Sequence, residues 1–131
     1  MSRTVNTRPP SFPQVELNTF LNGHGGETWQ VICGDSEHWR AGFYSPAEGS
    51  YKEVKEFEKH DCPELFILLS GEITLALVEN GKMKTVELEA GKPILVDAPH
   101  AGFCPKGPHS GVALVVERDS FDTEYRKLAD W

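Results

Sequence analysis

Short runs of β-forming residues, cut at close intervals by turn signals, constrain this chain more than any other feature of it. Ser70-Gly71 separates an apolar run at 65–69 from one at 73–78. Asn80-Gly81 is a hairpin signal ahead of residues 83–88, and Glu89-Ala90-Gly91 turns into 94–96. Residues 29–33, 39–45 and 54–60 read as strands upstream, and residues 112–117 as the last strand downstream. Eight such runs in roughly 90 residues predict an all-β sandwich or barrel. Phe121, Tyr125 and Leu128 recur at i, i+4 and i+7, which predicts a short amphipathic helix from about residue 120, capped by Asp119 or Ser120.

The 131 residues suit one domain with a core large enough to need no disulfides. Pro9, Pro10 and Pro13 set residues 1–13 apart as a flexible N-terminal arm, leaving 14–131 as the single domain. The runs at 65–69 and 112–116 are apolar on both parities, so both faces of those strands should be covered. A homodimer is the expected way to cover the second face.

Twenty acidic residues against thirteen basic ones, a net charge of −7, argue against nucleic acid as a partner. No apolar run approaches membrane-spanning length, and no secretory leader pattern is present. Three widely spaced cysteines, Cys33, Cys62 and Cys104, fit reduced thiols and a cytoplasmic address.

The chemistry concentrates in two segments. Glu58, His60, Cys62 and Glu64 share one parity, so Glu58 and His60 lean to the same side of an extended strand. Pro63 interrupts that strand, and Glu64 opens the next at the edge of an apolar run. A carboxylate entering the interior there is costly unless a cation or a hydrogen bond meets it. His100, after Pro99, comes from a separate strand end. Two imidazoles with one or two carboxylates form a mixed nitrogen–oxygen set, suited to a divalent Mn, Fe, Co, Ni or Zn ion. Hydrogen-bonded histidines at strand ends, and a Glu58 that merely belongs to the alternating Lys/Glu stretch 52–59, are the plainer alternatives. Cys62, Phe66, Phe103 and Cys104 are expected to line the cavity.

In these segments the chain resembles the cupin superfamily. His60-x3-Glu64-x6-Gly71 matches the second histidine, the glutamate and the closing glycine of that family's first motif, and Glu58 stands where its first histidine would be. Gly91, Pro99 and His100 resemble a contracted second motif, with Pro99 and His100 adjacent and no asparagine near Cys104. The resemblance implies a jelly-roll β-barrel, often dimeric. It carries His60, Glu64 and His100 over as metal ligands, with Glu58 as a substitute for the missing histidine.

The leading functional expectation is a metal-binding barrel that holds a small polar metabolite. Its ion would polarise a carbonyl, enol or carboxylate oxygen, or activate oxygen or water. Glu58, His60 and His100 are the candidates for catalysis. Two other readings stand beside it: a metal-free proton-transfer site of the sugar epimerase or isomerase type, and a non-catalytic ligand-sensing barrel.

Overall fold

The computed structural model describes residues 27–131. The arm expected at 1–13 lies outside that range. Ten strands follow in order: β1 (Trp29–Asp35), β2 (Trp39–Tyr44), β3 (Phe57–His60), β4 (Glu64–Ser70), β5 (Thr74–Glu79), β6 (Lys82–Glu87), β7 (Ile94–Val96), β8 (His100–Phe103), β9 (Val112–Arg118) and β10 (Thr123–Arg126). They form two five-stranded antiparallel sheets, ordered β1-β2-β9-β4-β7 and β10-β3-β8-β5-β6. Among the described residues the sheets do not close into a barrel, so the expected closed β-barrel is corrected to two facing layers.

The turn chemistry behaves as its residues dictate. Asn80 and Gly81 both have positive φ, 52° and 75°, the geometry that lets a two-residue turn follow the twist of β5 and β6. Residues 54–56 do not extend β3, because the chain first makes a 3-10 turn at Tyr51–Glu53.

Between the sheets lies the main core, with Phe66, Val96, Ala113 and Val115 from the first layer and Leu75 and Leu77 from the second. Each sheet also buries apolar residues on its far face. Ile32, Ala41, Phe43 and Val112 cluster on the first, and Phe57, Ala76, Val78 and Phe103 on the second. This accounts for the double-parity run in β9: Ala113 and Val115 point into the main core, while Val112, Leu114 and Val116 join the far-face cluster.

The predicted C-terminal helix is absent. Residues 123–126 form β10 against β3, with Thr123 opposite His60 and Tyr125 opposite Glu58, and only a 3-10 turn at Leu128–Asp130 follows. A spacing of four puts Phe121 and Tyr125 on one side of a strand as well as of a helix. The unpaired edge of β3 decides between them, because β10 satisfies its backbone groups.

Candidate metal centre

β3 ends at His60 in the second sheet, and β4 begins at Glu64 in the first. The intervening Asp61-Cys62-Pro63 therefore carries the chain from one layer to the other, with Pro63 ending the ladder. His100 opens β8, beside β3, where it is the cross-strand partner of Glu58. Three separate elements thus deliver His60, Glu64 and His100 to one spot between the layers.

All three are buried, and their contacts converge on Glu64. His60 Nε2 lies 2.7 Å from Glu64 Oε1, and His100 Nε2 lies 2.8 Å from Glu64 Oε2. Glu58, 36% exposed, stands at the mouth, 3.7 Å from His60 Nε2 and 3.6 Å from His100 Nε2. The rear nitrogens are held. His100 Nδ1 donates to the Ala98 carbonyl at 2.9 Å, and His60 Nδ1 meets the Thr123 hydroxyl at 2.7 Å. Phe121 packs on the His60 ring at 4.4 Å, and Phe66 meets the edge or face of His100 at 5.9 Å.

The Ala98 contact fixes a tautomer. A carbonyl only accepts, so Nδ1 of His100 carries a proton, and a neutral ring turns the lone pair of Nε2 toward Glu64. Two lone pairs at 2.8 Å repel unless a proton or a cation lies between them. Although close, the approach lacks hydrogen-bond geometry, and Glu64 Oε2 is buried without a hydrogen-bond partner. Burial alone would raise the Glu64 pKa, but His100 and His60 outweigh it and hold the carboxyl well below the usual range. For His100, burial opposes the charged ring, while Glu64 and then the Ala98 carbonyl pull its pKa upward.

The donor set fits a metal ion. The ligand atoms of Glu58, His60 and His100 lie within 4.8 Å of one another. Donors each about 2.1 Å from an ion stand about 3 Å apart at right angles. The observed nitrogen–oxygen separations of 2.7 to 3.7 Å bracket that value.

Two residues at the site are not among those the sequence singles out. Glu117, buried at the end of β9, forms a second compact group with His60 and Glu64. Burial raises its carboxyl pKa, the Glu64 charge raises it further, and Arg40 offsets part of the rise, leaving it at about 8. Arg40 of β2 donates from Nε to Glu117 Oε1 at 2.9 Å. Parity carries the one signal for it: Glu117 is two residues beyond the buried Val115, and so faces inward.

The site opens into a cavity of about 440 Å³, walled by Trp29, Tyr44, Phe66, Val115 and Phe121. Glu58, His60, Glu64, His100, Arg40 and Glu117 supply its polar lining. Of the four expected lining residues, only Phe66 is among them. Phe103 belongs to the far-face cluster of the second sheet, since a spacing of three from His100 reverses its side. Cys104 lies in the main core, and Cys62 is buried in the β3–β4 connection, so neither thiol lines the cavity.

No family model matches the sequence. Over 78 residues, 58% of this chain, it is 35% identical to the 3-hydroxyanthranilate 3,4-dioxygenase of Xenopus tropicalis, and the match spans 27% of that enzyme's length. In three dimensions it is similar to a cupin-2 domain protein from Shewanella frigidimarina, with a TM-score of 0.58 at 18% identity over 79% of this chain and 93% of that one. Hydroxypropylphosphonic acid epoxidase from S. wedmorenis aligns with a TM-score of 0.57 at 20% identity, over 70% of this chain and 51% of the epoxidase. Similar solved structures of HppE contain Fe(II) or Co(II) with substrate. No helix among the described residues is long and apolar enough to cross a membrane. With nearly the whole of a cupin-2 domain matched by two antiparallel layers, the chain takes its place among proteins of the cupin fold.

Proposed function

We propose that this protein binds one divalent transition metal through His60, Glu64 and His100, with Glu58 as the fourth protein ligand at the mouth, and holds a small polar metabolite in the adjoining cavity. The observation that carries this reading is the meeting of two Nε2 atoms on one buried carboxylate, while Nδ1 of each ring is already engaged. Outer partners of that kind orient metal-ligating imidazoles. The Fe(II) and Co(II) forms of HppE favour iron, cobalt or a similar ion over a thiolate-selected one, as does the nitrogen–oxygen donor set.

When bound, such an ion supplies Lewis acidity to a carbonyl, enol or carboxylate oxygen. The chain's own residues do the rest. Phe66, Phe121 and Trp29 exclude water from one side of the cavity, and Glu58 faces its opening. Glu117, whose carboxyl is held protonated by burial and by Glu64 in the metal-free protein, lies beside Glu64, and Arg40 donates to its Oε1. Metal-free proton transfer is the second reading. The 2.8 Å His100–Glu64 approach favours it, because a proton on His100 Nε2 would relieve the repulsion there as a cation would. A homodimer belongs to the proposal too, supported by Leu95, 67% exposed beside Leu65 on the far face of the first sheet.

Titration of the metal-free protein with Co(II), followed by visible absorption, separates the two readings. One equivalent is expected at the end point, and His100→Ala should lose the signal while keeping its melting transition. A featureless wild-type titration would overturn the metal reading.

A further inference from the structure

Among the described residues, Arg40 is the one arginine or lysine lining the cavity, and its surroundings are built. It lies on the inner face of β2, where its guanidinium carbon sits 5.7 Å above the Trp29 ring and 5.2 Å from the centre of Phe121. The first aromatic comes from β1 and the second from the connection between β9 and β10, so two rings from separate segments pack against the guanidinium. Gly42, two residues along the same face, makes this possible. A β-carbon there would stand 2.5 Å from the Trp29 ring, so only a glycine lets the indole lie against the strand. The grip orders a side chain that otherwise carries a large rotamer entropy, and the side chain retains 26% exposure toward the cavity.

The single hydrogen bond recorded for Arg40 among the described residues uses Nε, directed at Glu117 Oε1. This leaves the two-nitrogen end of the fork for a ligand. A planar fork matches a carboxylate, two N–H groups to two oxygens, better than it matches a hydroxyl or an amide. Glu117 also ties the location of Arg40 to the metal centre, because the Glu117 carboxyl groups with His60 and Glu64 within 4.8 Å.

We infer that Arg40 is the anchor for an anionic ligand: a small organic acid whose carboxylate docks on the guanidinium and whose second oxygen, a hydroxyl or a carbonyl, reaches the ion site. The inference rests on the proposed metal function for its second contact only. The walls add a shape. Trp29, Phe66 and Phe121 present apolar ring surface between the two polar ends, which suits a flat body over a bulky or polyhydroxylated one. A neutral sugar gains less from such a fork than a carboxylate does, so this argues against the sugar-directed readings.

Salicylate and salicylamide are suitable probes, because they share a ring and a phenol oxygen and differ in the charge of the remaining group. Calorimetry on the Mn(II)-loaded protein should show salicylate binding at least about tenfold tighter than salicylamide. Arg40→Gln should weaken salicylate about 10- to 100-fold and erase the preference, while Mn(II), followed by its paramagnetic resonance, remains bound. Arg40→Lys, which keeps the charge and loses the fork, should fall between them, and it serves as the test if Arg40→Gln does not fold. Failure of the wild type to prefer salicylate, or a preference that survives both substitutions, overturns the anchor. Absence of Mn(II) binding overturns the metal reading instead. The same comparison in chelator then tests Arg40 by itself, with the same two outcomes.

Discussion

Glu117→Gln isolates the electrostatics of the buried acid. In the metal-free protein its carboxyl stays protonated up to about pH 8, through burial first and its hydrogen bond to Glu64 second, whereas an unfolded chain releases that proton near 4.5. The folded state therefore holds one more proton than the unfolded state between those values. Folding stability must then fall as pH rises, at about 1.4 kcal/mol per pH unit for a single proton. His100 adds a slope of the same sign. Its raised pKa gives stability that is complete below the ordinary value of 6.5 and lost as pH climbs through the folded value. Glu64 works in the opposite direction just above 4.5, because its folded carboxyl is held well below the usual range, but it is present in both proteins, so the difference between wild type and Glu117→Gln reports Glu117. Glutamine copies the protonated acid, with an N–H donor in place of the O–H, and cannot titrate. Urea unfolding in chelator from pH 4.5 to 8 should show the wild type losing its advantage over Glu117→Gln by roughly 1 kcal/mol per pH unit. Parallel curves for the two proteins would refute the reasoning.

Other expectations follow from single contacts. Thr123→Val removes the hydroxyl that holds His60 Nδ1 at 2.7 Å. It should weaken metal binding about 10- to 100-fold, measured by competition with a chromophoric chelator, with little change in metal-free melting. Gly42→Ala drives a β-carbon to within 2.5 Å of the Trp29 ring and should cost about 1–3 kcal/mol in urea unfolding, with a shift in tryptophan emission.

Most of the strands are legible in the sequence because they alternate or run apolar between turn residues that have their own chemistry. β5 to β7 and β9 lie within a residue or two of where the sequence places them. β8 is not legible: His100–Phe103 holds a histidine, an alanine and a glycine, and becomes a strand only by pairing with β3 and β5. β10 mimics a helix because a four-residue spacing satisfies both periods, and the deciding factor is a strand edge distant in sequence. His60, Glu64, His100 and Glu58 are visible as residues at strand mouths, and the structure brings all four together. Proximity in sequence misleads for the two thiols and Phe103, which neighbour the histidines along the chain and face elsewhere. Arg40 and Glu117 stay hidden because their meaning is a pairing across β2 and β9, seventy-seven residues apart, opposite one another in the register.

Elemental analysis of protein purified without added metal, paired with melting before and after chelation, bears most directly on the central claim. If His60, Glu64 and His100 hold an ion, the protein should carry about one transition metal per chain and melt several degrees lower once stripped. Protein that contains no such metal, takes none up from solution and melts identically in chelator would contradict it.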